Sequence, residues 1–288
     1  MGCGAEGFDS VSESEQVGST TQALATTQVV VSDTNGALFG AAAGNPSAFS
    51  SIDIVPGTQA ASVEGNNLSG GDLYVTKTGE LFERREKGWQ KKSGGNALFE
   101  DISAGGMPVV VLAVDNFGRV AKKVDAITFD FPDFLQVRET AGGAPVPVNR
   151  IDVCDNGSIW AVSTDKLKVF RRPSVSTAAA WSKVELTGIG GMPNTVPYVY
   201  DVGCHAEVYI VAARAPRGGG VFRLSGSSWV KIAAGQAMFT ASRVDVDSNG
   251  AVWFVGADSF NGPKLWKTNS TGTTSTFANV ANPFDIGS

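Results

Sequence analysis

The sequence predicts an all-β chain folded as a six-bladed β-propeller, and three observations carry the prediction. A pattern of aromatic anchor, Asp-bearing strand, Gly turn and aromatic strand recurs at roughly 40 to 50 residues, the length of one four-stranded blade. Short β-branched and aromatic runs such as Val29-Val-Val31, Ile159-Trp-Ala-Val162 and Val208-Tyr-Ile-Val211 are broken by turn signals well below membrane-spanning length. The two ends are complementary: residues 27–33 begin at a second strand with no inner strand before it, and Pro283-Phe-Asp-Ile-Gly287 supplies one. A blade cannot bury both faces alone, so repetition itself argues for a closed ring.

In chain order, residues 1–26 come first, as a flexible polar tether. Ser, Thr, Glu and Gly dominate Glu6-Gly-Phe-Asp-Ser-Val-Ser-Glu-Ser-Glu-Gln16, with too few apolar residues to offset the entropy of ordering. Gly2-Cys3 resembles the cleavage site of a bacterial lipoprotein, which makes Cys3 a lipidation candidate. The expectation is an extracytoplasmic chain, secreted or lipid-anchored at the cell surface. N-myristoylation requires Ser or Thr at the sixth position, and Glu6 stands there.

The propeller occupies residues 27–288. The turns after each blade's second strand read Asp33-Thr-Asn-Gly36, Lys77-Thr-Gly79, Asp115-Asn-Phe-Gly118, Asp165-Lys-Leu167, Ala215-Pro-Arg-Gly218 and Asp258-Ser-Phe-Asn-Gly262. Short third strands follow, at Leu38-Phe39, Leu81-Phe-Glu83, Val120-Ala-Lys122, Lys168-Val-Phe170, Val221-Phe-Arg223 and Leu265-Trp-Lys267. Outer strands begin near Phe49, Trp89, Phe134, Trp181, Trp229 and Phe277, where a large ring buries area between blades. Inner strands carry Asp between β-formers, as in Arg150-Ile-Asp-Val153 and Arg243-Val-Asp-Val246. The last residues are expected to pair with residues 27–33 and close the first blade.

The net charge of -5 and a pI near 5.0 oppose nucleic-acid binding, which needs a basic surface. Lys and Arg cluster in Glu83-Arg-Arg-Glu-Lys87 and Lys168-Val-Phe-Arg-Arg172, where strand alternation places them on a solvated edge. The chain has one His, His205, on a strand turn, and no Gly-x-Ser-x-Gly elbow, so the expectation is a non-enzyme without cofactor. Asp245, Asp247 and Asn249 match the first half of a calcium loop, but Gly256 stands where the bidentate acid belongs; the alternative is a strand and Asn-Gly hairpin.

Asp101, Asp152, Asp201, Asp245 and Asp285 recur at one point of five inner strands. Facing the channel at one height they would raise some of one another's pKa values or recruit a cation or basic ligand; accepting backbone N–H bonds they would be structural, which is the reading preferred on repeat geometry. Cys154 and Cys204 lie near matching points of successive inner strands, one residue out of phase. That phase points them to different faces of strands too far apart to bridge, so two buried free thiols are expected.

Trp229-Val-Lys-Ile232, Gly235, Val244-Asp-Val246 and Asn249-Gly-Ala-Val-Trp253 together resemble a tectonin repeat. Trp89-Gln-Lys-Lys-Ser-Gly94 with Glu100-Asp-Ile102, and Asn156-Gly-Ser-Ile-Trp160 with Leu167-Lys-Val-Phe170, fit it too. Phe49 and Phe134 depart from its Trp. The resemblance spans residues 27–288 and implies a recognition protein, lectin-like, with a glycan or cell-surface polysaccharide as partner.

A lectin needs an exposed aromatic plane beside hydrogen-bonding groups, and Gly-rich blade-specific loops permit close approach. Arg214 and Arg217, Phe260 and Asn261, and Trp266 are the ligand-binding candidates on that basis. Most Trp residues are expected in the blade core, one per repeat slot. A protein-interaction scaffold is the alternative function, and a propeller enzyme of lyase or lactonase type the third.

Overall fold

The computed structural model describes residues 27–42, 48–65, 72–85, 88–92, 97–125, 128–190, 195–213, 219–232, 238–258, 262–268, 274–277 and 280–287. The tether 1–26 with Cys3, and Arg214, Arg217, Phe260 and Asn261, lie outside them, as does the side chain of Phe277.

Six antiparallel four-stranded sheets are the blades. Their inner strands, in blade order, are Pro283–Gly287, Ala60–Glu64, Phe99–Gly105, Val148–Val153, Tyr198–Cys204 and Met238–Val246. Each inner strand packs against the next, and that of blade 6 returns to that of blade 1, so the ring is closed. The seam falls where the ends are complementary: Val30 pairs Gly287, Val31 pairs Ile286 and Ser32 pairs Asp285. The last strand covers what would be an unpaired edge of Thr27–Asp33.

The hydrophobic core is divided into six clusters, each between two blades. Val30 and Leu38 meet Val63 and Tyr74 across blades 1 and 2, and Trp253 and Leu265 meet Val29 and Val31 across blades 6 and 1. A strand buried on both faces must read as a continuous apolar run, which is why Ile159–Ser163 and Leu73–Thr76 are buried throughout.

Polar stitches repeat with the blades. The turn carbonyls of Gly36, Gly79 and Gly118 accept the N–H groups that open the next inner strands, those of Ala60, Phe99 and Val148. At the rim the indole N–H groups of Trp89, Trp181 and Trp229 donate to the carbonyls of Asp53, Leu135 and Glu185 in the preceding blades, at 2.5, 3.0 and 3.1 Å. The aromatic slot thus combines apolar area with a hydrogen bond that Phe cannot make.

Two expectations are corrected. Blade 3 fills its outer slot with Phe129, buried in the short strand Phe129–Asp130, while Phe134 sits in the 3-10 turn Asp133–Leu135 and is partly exposed. The basic clusters are not wholly on solvated edges either. Glu83 is fully buried and accepts Lys92 Nζ and Lys123 Nζ at 2.8 Å each, with Arg85 also on it, so it ties blade 2 to blade 3. Arg172, 1% exposed, donates to the carbonyls of Ser174 and Ser176. Alternation sends every second residue inward, and here the inward charge found a partner.

Candidate functional site

Alternation along the inner strands directs residues two apart to the propeller axis, and each of those strands carries a register shift near its start that fixes which. Just after the shift lies a first tier, in blade order Asp285, Ser62, Asp101, Arg150, Asp201 and Arg243. Two residues on lies a second tier of Gly287, Glu64, Ser103, Asp152, Gly203 and Asp245. The five Asp residues that looked equivalent in sequence are therefore divided, with Asp101, Asp201 and Asp285 in the first tier and Asp152 and Asp245 in the second. Glu64, which no Asp pattern could flag, is the sixth carboxylate, and it stands two residues after the first-tier Ser62.

The carboxylates alternate around the ring, on blades 1, 3 and 5 in the first tier and on blades 2, 4 and 6 in the second. The first-tier acids each take a backbone N–H of the next blade: Val63 to Asp285 Oδ2 at 2.9 Å, Ile151 to Asp101 Oδ2 at 2.8 Å and Val244 to Asp201 Oδ2 at 2.9 Å. In the second tier Glu64 takes the N–H of Ala104 and Asp152 that of Cys204. These are the backbone bonds of the structural reading. They also explain two glycines of the second tier: a Cβ on Gly203 would stand 2.6 Å from the carbonyl oxygen of Val244, and one on Gly287 2.3 Å from that of Val63.

Two arginines of the first tier pair with its acids. Arg150 Nη1 lies 3.0 Å from Asp101 and its Nε 3.7 Å from Asp201, and Arg243 Nε lies 2.5 Å from Asp285. Burial alone would lower the Arg150 pKa, but the carboxylates of Asp101, Asp201 and Asp285 outweigh it and raise it. Burial lifts the acids: Asp101 is raised, Asp152 and Asp201 are pushed up to about 7, and Glu64 is held well above the usual carboxylate range. All six carboxylates line a waist cavity of about 20 Å³, room for roughly one water.

Beyond the waist the channel opens into a cavity of about 180 Å³. Glu64, Asp152 and Asp245 form its acidic floor, Ala104, Met107, Val153 and Val246 its apolar wall, and Asp155, His205 and Ser248 its polar lining among the turns. His205 is a turn residue as expected but half-buried, with Nε2 2.7 Å from Asp155 Oδ2; its Nδ1 is buried with no hydrogen-bond partner. Beside it Cys204 is disulfide-bonded to Cys154, which overturns the expectation of free thiols. Around the axis the inner strands approach closely enough for a Cα–Cα distance of 5.0 Å, and a phase difference of one residue is what reaches the neighbouring blade. Closing a loop with a sequence separation of 50 contributes about 4 kcal/mol on the chain-entropy model.

The remaining candidates are placed as follows. Trp266 stacks on Phe254 with ring centroids 6.2 Å apart and donates to the Gly256 carbonyl, so it belongs to the blade 6 sheet. Asp247 caps its own turn, accepting from Asn249 and Ala251, and takes the indole N–H of Trp253. Asp245 faces the channel, so the calcium-loop acids point to different surroundings. Among the described residues no three His, Cys, Asp or Glu side chains are grouped so as to hold a metal ion.

No protein-family model matches the chain, and no curated protein matches it either. Solved structures do. A structure described as YCF48 bound to D1 peptide is 13% identical with a TM-score of 0.52, covering 89% of this chain and 83% of its own. A streptogramin B lyase is 11% identical with a TM-score of 0.55, over 92% and 88%. A protein of unknown function from Bacteroides caccae is 11% identical with a TM-score of 0.56, over 90% and 97%. At such identity the likeness is one of fold.

Proposed function

We propose that the protein is a non-catalytic recognition module, carbohydrate-binding in the first reading, acting outside the cytoplasm. The observation that carries it is how the repeated polar residues are used. The rim Trp N–H groups and the inner-strand acids are engaged in joining blades, while the cavity turns present side chains that do not repeat: Met107, Asp155, His205 and Ser248. Recognition belongs to unrepeated positions because the repeated ones are set by the blade. The glycan itself is proposed on the tectonin-like phase. A non-catalytic role is supported by there being one imidazole in the sequence and by its neighbour Cys204, which is oxidised and offers no thiolate. The disulfide fits an oxidising compartment.

A protein partner is the second reading, favoured by Leu98 and Phe117. They are 47% and 68% exposed and adjacent, since the Asn116 N–H donates to the Leu98 carbonyl. The peptide in the YCF48 structure shows that a related fold can serve this way. A glycan array and a random peptide library probed with the full chain test both. Glycan binding that survives Phe117→Ser supports the first reading; peptide binding lost in Phe117→Ser replaces it with the second. Conversion of any array glycan, read by mass spectrometry, would refute a non-catalytic role.

A further inference from the structure

We propose that the turn between the second and third strands of blade 4, with the start of the blade 5 inner strand beside it, binds an acidic sugar: Lys166 takes the sugar's carboxylate and Tyr198 its apolar face. The proposal rests on the carbohydrate reading, and it applies the same argument about unrepeated positions to the end of the inner strands opposite the axial cavity. Tyr198 opens the strand whose last residue, Cys204, lines that cavity.

The first observation is a break in the repeat. In the four such turns among the described residues, Gly36, Gly79, Gly118 and Lys166 fill one position. Their N–H groups donate to the carbonyls of Asp33, Thr76, Asp115 and Ser163, and their carbonyls accept the N–H groups of Ala60, Phe99, Val148 and Val199. All four have positive φ, at +82°, +84°, +76° and +63°. Glycine adopts that conformation freely, whereas a residue with a Cβ adopts it at a cost. A Cβ on the three glycines would also stand 2.5 to 2.6 Å from that of Gln59, Leu98 or Pro147. The blade 4 turn is one residue longer, the Ser163 N–H reaching the Lys168 carbonyl where that of Asp33 reaches Ala37, and it carries a lysine in place of the glycine. A strained position that departs from its own repeat points to a use outside the geometry of the blade.

The second observation is where the lysine reaches. Its Nζ lies 4.8 Å over the ring of Tyr200. On the same face Arg119 lies over Phe117 and Arg243 over Phe284, but those guanidiniums are ion-paired with Asp115 and Asp285. Among the described residues Lys166 makes no ion pair, so its ammonium is held against a ring and left without an anion.

The third is the surface beside it. Tyr200 is the extra residue of the register shift between Val199 and Asp201, which frees it from strand pairing, and it packs in part on the core between blades 5 and 6. Tyr198 and Val196 are 51% and 58% exposed. An open phenol ring with a hydroxyl at its tip and a fixed cation near by matches a sugar whose C–H face is apolar and whose carboxylate is charged. A neutral sugar would leave the ammonium unmatched, and a bare anion would leave the ring unused.

The test is calorimetric titration of the full chain with oligogalacturonate, oligomannuronate and sialyllactose, each beside its methyl ester, and with triglutamate. At least one acidic saccharide should bind about tenfold or more tighter than its ester. Lys166→Gly and Tyr198→Ser should each weaken that binding about tenfold or more, while Lys166→Arg, which keeps the charge, should hold it within about threefold. Lys166→Gly should also melt no lower than wild type, because it restores the residue the turn favours, and loss of binding without loss of stability separates a ligand-binding lysine from a structural one. Should that variant melt lower, the Tyr198→Ser result decides. No binding of any acidic saccharide, equal affinity for acid and ester, unchanged affinity in Lys166→Gly, or equal binding of triglutamate would overturn the proposal. Neutral glycans that bind on the array and are untouched by Lys166→Gly sink this site and leave the carbohydrate reading standing; silence of every glycan, acidic and neutral, removes both.

Discussion

At the scale of single residues, the polar groups of this propeller are placed so that one side chain serves two blades. Glu83 is the clearest case, because its carboxylate is fully buried and receives ammonium groups from Lys92 in its own blade and Lys123 in the next. Burial raises the cost of its charge, yet the lysine bonds and charges win and hold its pKa below the ordinary value. Removing one member of a buried ion cluster strands the others, and such changes typically cost about 3 kcal/mol or more. Glu83→Gln keeps the volume and one acceptor but not the charge. It should lower the unfolding free energy from urea titration by that amount, whereas the partly exposed Glu80→Gln control should stay within about 0.5 kcal/mol. Equal midpoints for the two variants would show that Glu83 has no such bridging role.

At the scale of strands, the ring depends on the pairing of chain ends. Without Pro283–Gly287, Thr27–Asp33 loses a partner along one edge and Val63 loses the Asp285 carboxylate that caps its N–H. Deletion of residues 282–288 should therefore lower the melting temperature sharply and promote edge-to-edge association, measured by calorimetry and light scattering; an unchanged melt would sink the closure model. This seam was legible in the sequence because turn chemistry and alternation are local signals that survive repetition. The turns at Asp33, Asp115 and Asp165 and the packing role of Trp89, Trp181 and Trp229 were legible for the same reason. What alternation could not supply was the distance between elements. The Cys154–Cys204 bridge depends on how closely inner strands approach at the axis, and the division of the acids into tiers depends on register shifts of one residue. Glu64, Arg150 and Arg243 were missed because the pattern sought was Asp, whereas the geometry selects any side chain at spacing two from a tier.

At the scale of the whole molecule, the two tiers make the axis an acidic post around which all six blades are arranged, and its titration should be felt as a property of the fold. Glu64, Asp101, Asp152 and Asp201 are all raised, with burial the leading cause in each. A carboxyl raised on folding binds more protons in the native than in the unfolded chain at pH values between its two pKa values, so stability there falls as pH rises. The effect is fully favourable below the unfolded value near 4 and is lost as pH passes about 7, where Asp152 and Asp201 ionise in the fold. Acids nearer solvent, such as Glu80 and Asp165, are lowered and act in the opposite sense, but their window lies below the ordinary carboxylate range. Between pH 5.5 and 8 the buried tiers therefore dominate. The melting temperature should be higher at pH 5.5 than at pH 8 by about 4 °C or more, equivalent to roughly 2 kcal/mol for a domain of this size. Asp152→Asn should flatten the profile, because the amide does not titrate; having one oxygen for the two N–H groups of Val153 and Cys204, it should also lower stability at every pH. A flat or rising wild-type profile over that range would mean that the axial acids are ionised in the fold at pH 5.5.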